Sequence, residues 1–475
     1  MNTRLLKVCL YGSLAIIVGV LAFFIMYNAH WLINDDAVII AHTGWGHFFK
    51  PEEEIFPKGG RFFPFVYLIY NILACLGWTT VNAHFALHTA VFVLFCAISL
   101  WTIYKAIEAN QLKWQEHVLI FSAVIVCVAR VYVYFLDCMY TSWYTCTMIL
   151  IWGLCCYYVH THQSVIAFII GLLTISYLTY CAETFFVFPF SYGIIGLFFT
   201  RKKSSKLERA YMWSLIAVAM LFLIFYYFIA FIHIEGIYDP AHGEDISIFR
   251  NAIRMFLAQK VLWIVLVLVC WRGYRVFVKK IEEFEFWDII LLSGCAYCCG
   301  CAILRLNWVV YYTLPSLFMM PAIVHYTHKY LSSKYAWILM LGLALFTFRR
   351  VPYYIRNNQG LRMGTAKVMN ILIKEENAGN TLYWYAPYGD KERIVDGDWG
   401  WIEWMYFCTK TQIGYLERYE QYELKKVIKF DGQNGIYILP SENNKLFPNV
   451  NDTIISSGEV LNAGDMNGFY IVKVQ

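Results

Sequence analysis

The chain has 475 residues, of which 60% are hydrophobic and 15% charged, with a formal net charge of +5. Those proportions lie outside the range of soluble domains and describe a polytopic membrane protein, whose core is a helix bundle sized by its number of spans. In such a chain basic residues in short loops report orientation, and nothing points to nucleic acid as a partner.

Arg4 and Lys7 precede an apolar run from about residue 8 to 27, longer than a secretory signal core and lacking a small-residue cleavage site. It reads as a retained first span. The first outer loop, 29–83, opens with His30-Trp-Leu-Ile-Asn-Asp-Asp-Ala-Val-Ile-Ile-Ala41. A lone loop carboxylate is often just solvated, but Asp35 and Asp36 are adjacent and flanked by apolar residues that draw them to the interface. Partial desolvation beside a like charge raises the proton affinity of one member, which suits a general base, and the pair also suits a divalent cation such as Mg or Mn. The same loop carries Arg61 in Gly59-Gly-Arg-Phe-Phe-Pro64, and His30, His42, His47, His84 and His88, which read as interfacial polar residues without metal-site spacing.

The apolar stretch 62–78 decides the topology. Counted as a span, it would send Arg201-Lys-Lys-Ser-Ser-Lys206 across the membrane. Read instead as a juxtamembrane or re-entrant helix, which Pro64, Asn71 and Gly77 favour, it leaves eleven spans: the first, then runs near 84–104, 117–135, 142–159, 164–181, 184–200, 211–232, 253–271, 286–304, 308–327 and 334–349. The basic loops at Lys105 and Lys113, 201–209, 272–280 and 329–334 then share the side of the N-terminus.

The rarer charges fall on the other side. Asp137 sits in an aromatic turn beside Arg130, where a structural ion pair competes with a substrate contact. Glu183 ends one apolar run and starts the next, so it faces a cavity or a partner unless it merely marks the turn. Arg61 and Arg305 defy the positive-inside pattern and invite an anionic ligand, for which a lipid phosphate is suited because guanidinium grips its oxygens bidentately. Arg349 and Arg350 read as ordinary snorkelling at a helix end. After Arg305, the segment Asn307-Trp-Val-Val-Tyr-Tyr-Thr-Leu-Pro315 puts a proline and the pair Tyr311 and Tyr312 where a broken helix could line a cavity.

Residues 1–350 thus form a transmembrane catalytic domain, and 351–475 return to soluble composition, with a helical pattern at 362–377 and strand-like runs at 381–385, 435–439 and 469–474: a small α/β domain outside the membrane. Of the 15 cysteines, all but Cys138 and Cys408 lie in apolar stretches and read as small core residues; the group Cys295, Cys298, Cys299 and Cys301 is read the same way, not as a zinc site. Phosphate-loop, nucleophile-elbow and His-Glu-x-x-His motifs are absent.

A first span, an outer loop opening on acids, Gly60-Arg-Phe-Phe-Pro64, Tyr311-Tyr-Thr-Leu-Pro315, many further spans and a C-terminal outer domain together resemble the GT-C superfamily of membrane glycosyltransferases. The resemblance implies an all-α polytopic bundle of about eleven transmembrane helices with juxtamembrane helices and a C-terminal α/β domain. It implies inverting transfer of a sugar from a polyprenyl-phosphate donor to a glycan, lipid or protein acceptor on the non-cytoplasmic face. Carried onto this chain, Asp35 or Asp36 would be base or metal ligand, with Glu183 a further catalytic acid or acceptor-orienting group. Arg61 and Arg305 would hold the lipid phosphate, and Asp137, Asn307, Tyr311 and Tyr312 would contact substrate. The family often spaces its acids, whereas this pair is contiguous. A divalent cation is optional in this chemistry. The rival classes are a transporter or flippase of lipid-linked saccharides, disfavoured by the lack of internal repeats and midplane charges, and a polysaccharide polymerase or ligase. The short loops and lack of a retrieval tail suit a bacterial inner membrane with the C-terminal domain in the periplasm, an endoplasmic reticulum member being the alternative.

Overall fold

The structure is a computed structural model that describes residues 3–30, 55–56, 61–62, 64–65, 68–78, 80–107, 112–136, 142–233, 247–303, 309–331, 333–385, 425–427, 429–440, 452–461 and 469–475. Its helices are α1 (Thr3–Tyr27), α2 (Leu68–Cys75), α3 (Val81–Ile107), α4 (Trp114–Phe135), α5 (Ser142–His162), α6 (Val165–Cys181), α7 (Val187–Thr200), α8 (Lys206–Ile229), α9 (Ile248–Ala258), α10 (Val261–Gly273), α11 (Phe286–Ile303), α12 (Val309–Tyr330), α13 (Ser333–Phe348), α14 (Val351–Asn377) and the short α15 (Asp452–Ser457). Among the described residues, eleven helices (α1, α3–α8 and α10–α13) stand where the apolar runs predict spans. Eight helical segments are long and apolar enough to cross a membrane by themselves, and 165–181 and 184–200 are shorter apolar helices. The protein is a multi-pass membrane bundle.

Local chemistry sets the helix starts. Ser164, Ser205 and Ser247 sit in extended backbone just before α6, α8 and α9, and their hydroxyls accept from the backbone N–H groups of Ala167, Glu208 and Arg250. Where helices cross closely, glycine permits it: a Cβ on Gly193 of α7 would lie 2.7 Å from the Met212 carbonyl oxygen of α8. Large side chains such as Ile166, Phe198, Trp213, Phe228 and Val267 remain on the outside of the bundle, as lipid-facing positions require. Central helices differ: α4 buries nearly every side chain between α1, α3 and α13.

Two predicted elements change shape. Among the described residues of the stretch 62–78, the helix is the eight-residue α2, half-buried and too short to cross. The run 253–271 is not one span, because Gln259 and Lys260 break it into α9 and α10. Helix α9 is amphipathic, exposing Phe249, Ile253 and Leu257 while Asn251 and Met255 are buried, and its 11 residues are too few to cross a membrane alone. A single π turn at Tyr274–Val278 continues α10.

Strand β1 (Ile55–Phe56) pairs antiparallel with β2 (Arg61–Phe62). Beyond the bundle, β3 (Leu382–Tyr385), β4 (Lys425–Val427), β5 (Gly435–Pro440), β6 (Glu459–Val460) and β7 (Phe469–Val474) form one sheet in the order β4-β3-β5-β7-β6. Strands β4, β3 and β5 run parallel, and β7 is antiparallel to both its neighbours. Alternation splits the faces: Leu382, Trp384, Ile436, Ile438 and Ile471 join the core that includes Val368, Met369 and Leu372 of α14, while Tyr383, Tyr385, Tyr437, Leu439 and Val472 pack with Ile454 of α15. The Lys473 ammonium, 2.9 Å from Glu375, ties β7 to α14.

Candidate active site

The chain direction divides the bundle into two ends. At the end opposite the sheet lie the first residues of α1 and the basic groups Lys105, Arg201, Lys202, Lys203, Lys279 and Lys280. The sheet-bearing end gathers the exits of α1 and α4, the 3-10 turn Glu183–Phe186, helices α2 and α9, and α14. The segments holding the predicted site residues all start or end there.

Their side chains lie outside what is described. Asp35, Asp36, Asp137, Arg305 and Asn307 fall outside the described residues, and for Arg61, Glu183, Tyr311 and Tyr312 only the backbone is placed. Arg61 pairs with Phe56 in the β1–β2 hairpin, Glu183 opens the 3-10 turn between α6 and α7, and Tyr311 and Tyr312 lie in the first turn of α12. Neighbours fix two of these backbones close together. Phe62 packs on Tyr180 at 6.0 Å and on Phe222 at 5.7 Å between ring centres, and the Phe65 N–H donates to the Tyr180 carbonyl at 3.1 Å. Arg61 therefore stands one residue from a side chain that touches α6 three residues before Glu183. Across the same end, Thr184 hydrogen-bonds Tyr297 of α11 at 2.9 Å, and Trp143 donates to the Tyr70 hydroxyl of α2 at 3.0 Å.

What the structure adds is a cavity. Between α4, the α9–α10 break, α13 and the start of α14 lies a space of about 690 Å³, counting the part open to solvent. Its lining includes Arg130, Lys260 and Arg350, together with Tyr134, Gln259, Thr347 and Tyr354, with no acid among the described residues. Arg130 is half-buried, whereas Lys260 and Arg350 are exposed at the mouth. Apolar groups floor it: Val133, Val261, Leu343 and Phe346, over whose ring the Lys260 ammonium sits at 5.0 Å. Three cations around an opening with apolar walls are chemically suited to an anionic headgroup carried on a hydrocarbon chain.

This site departs from the sequence reading. Arg350, read as a snorkelling side chain, lines the cavity, while Arg349 rests 4.1 Å from the Phe346 ring centre. Arg130, weighed there only beside Asp137, also lines it. Lys260 was embedded in a run read as one span; the signal that finds it is Gln259-Lys260 itself, two polar residues interrupting an apolar stretch. Among the described residues no group of three His, Cys, Asp or Glu is placed to hold a metal ion, the α11 cysteines included.

No protein-family model matches the chain, and no curated protein does. Among solved structures, the fold aligns with crystal structures of ArnT from Cupriavidus metallidurans. The apo form gives 11% identity and a TM-score of 0.47, and the form bound to undecaprenyl phosphate gives 10% and 0.46. Each alignment covers 97% of this chain and 97% of that chain. Likeness at that identity and score assigns neither residue roles nor substrates, so the functional reading rests on this chain's own residues.

Proposed function

We propose that the protein is a membrane glycosyltransferase that takes a sugar from a polyprenyl-phosphate donor and passes it to an acceptor hydroxyl. The observation that carries this is the cavity lined by Arg130, Lys260 and Arg350, at the bundle end where the acid-bearing loops begin. That end is the non-cytoplasmic face on this reading, because the basic loops gather at the other. The protein is then a bacterial inner-membrane enzyme whose C-terminal α/β unit, 351–475, lies in the periplasm.

The chemistry follows from charge placement. One carboxylate of Asp35 or Asp36 takes the acceptor hydroxyl's proton, and the oxygen attacks the anomeric carbon from the face opposite the phosphate. The bond from that carbon to the phosphate oxygen breaks, its electron pair leaves with the polyprenyl phosphate, and configuration inverts. Cations at the phosphate stabilise the charge that develops on the leaving group, and the apolar walls take the lipid. Glu183 or Asp137 would orient the acceptor; Arg61 and Arg305 would add to the phosphate grip, and Asn307, Tyr311 and Tyr312 to substrate contacts. Phosphate departure is served by charge alone, so a divalent cation is optional; Asp35 and Asp36 would hold it where one is used.

The test is sugar transfer by purified protein in lipid, comparing wild type with Asp35→Asn, Asp36→Asn and Glu183→Gln. Loss of transfer in at least one aspartate variant is expected; unchanged transfer in all three contradicts the assignment.

A further inference from the structure

Arg362 belongs to α14, outside the eleven-helix bundle, yet its side chain is completely buried. It lies on the inward stripe of that helix with Asn358, Thr365, Met369 and Leu372. Its Nη1 donates to the His30 carbonyl at 2.6 Å, its Nε donates to the Leu136 carbonyl at 3.0 Å and to Asn358 Oδ1 at 3.1 Å, and the guanidinium lies 5.0 Å from the Phe85 ring centre. One side chain thus joins α14 to the exit of α1, the C-cap of α4 and the first turns of α3. Guanidinium offers five donors in a fixed fork, which is why a single residue reaches several acceptors.

The two carbonyls are the roots of the acid-bearing segments. Asp137 follows Leu136 directly, and Asp35 and Asp36 come five and six residues after His30. The cation's field also reaches the α1 exit: burial, then the charge of Arg362, holds the His30 imidazole below its ordinary value. Helices α4 and α14 run from this clamp to the cationic cavity, which they line through Arg130 and Tyr354. Six residues separate Arg130 from Leu136 and eight separate Tyr354 from Arg362, so helical rise sets the clamp roughly 9–12 Å along the axes from the cavity.

We propose that Arg362 is a positioning residue for the transfer reaction: it fixes the starting points of both acid-bearing segments relative to the donor cavity. This rests on the glycosyltransferase reading above. A side chain that only held the fold together would govern the amount of folded protein. Arg362 also governs turnover at an unchanged donor KM.

The experiment measures transfer against donor concentration for wild type, Arg362→Gln and Arg362→Lys, with thermal unfolding of each in detergent. For Arg362→Gln, kcat falls on the order of a hundredfold, as for misplaced reacting groups. Donor KM stays within about twofold. Arg362→Lys does not restore the wild-type kcat, since one ammonium does not reproduce the fork. Wild-type kcat in Arg362→Gln, or a kcat loss matched by an equal rise in donor KM, overturns the proposal while leaving the glycosyltransferase reading intact; a wild-type protein without transfer overturns both. If Arg362→Gln does not accumulate folded, Arg362→Lys decides, and an unchanged kcat there overturns the proposal.

Discussion

Arg272 of α10 grips Asp288 of α11 through two parallel contacts, Nε to Oδ1 at 2.7 Å and Nη2 to Oδ2 at 2.5 Å, with the side chains only 4% and 5% exposed. Tyr326 donates to the same carboxylate at 2.6 Å, and the Glu285 N–H at 3.0 Å. A two-point guanidinium–carboxylate fork shielded from water is costly to break from one side, because the surviving charge stays buried. Asp288→Ala is therefore expected to cost about 3 kcal/mol, read as a lower unfolding temperature in detergent. The double variant Arg272→Met/Asp288→Leu is expected to recover little of that loss, because Arg272 also pairs with Glu282 and donates to the Tyr330 hydroxyl and the Glu283 carbonyl.

The cavity cations carry a second expectation. Each of Arg130→Ala, Lys260→Ala and Arg350→Ala removes one charged contact to the donor phosphate, a loss of about 1.5–3 kcal/mol or roughly tenfold to hundredfold in affinity. The half-buried Arg130 should give the largest effect and the exposed Lys260 and Arg350 smaller, more salt-sensitive ones. Donor KM and inhibition by free polyprenyl phosphate, each measured at two salt concentrations, check this.

Acid should loosen the α1 exit. His30 is held below its ordinary value of 6.5 by burial and then by Arg362. Between its folded pKa and 6.5 the unfolded chain binds more protons than the folded one, so this contribution is complete above pH 6.5 and is lost as pH falls below it. The unfolding temperature of wild type should drop more than that of His30→Gln between pH 7.5 and 5.5, values chosen to bracket the imidazole range. Equal drops would remove His30 from the explanation.

Close packing of α7 on α8 gives a fourth. A Cβ on Gly193 would meet Ile216 Cγ1 at 2.6 Å and the Met212 carbonyl oxygen at 2.7 Å, and the backbone atom cannot swing aside. Gly193→Ala should destabilise by about 1–3 kcal/mol, whereas Gly12→Ala, with nothing within 4 Å, should be close to neutral.

How much of this was legible before folding depends on whether the signal is local. Span positions are local, since about twenty apolar residues with basic flanks suffice, and the strand-like runs at 381–385 and 469–474 are equally local. The α9–α10 break was missed because Gln259-Lys260 is only two residues long inside an apolar run. The cation cavity is not local at all: Arg130 and Arg350 are 220 positions apart and meet because α4 packs on α13. Arg362 looks like any basic residue of a polar helix, and only tertiary packing buries it. Asp35 and Asp36 are legible as chemistry, while their geometry lies outside the described residues.

The central claim is that donor phosphate leaves as sugar transfers. The most direct measurement follows both products when wild-type protein in vesicles receives polyprenyl-phosphate sugar and candidate acceptors: glycosylated acceptor and free polyprenyl phosphate. Equal amounts of the two, formed only when acceptor is present, are the expected result. Movement of intact lipid-linked sugar across the vesicle membrane with neither product formed would contradict the account and make the protein a transporter.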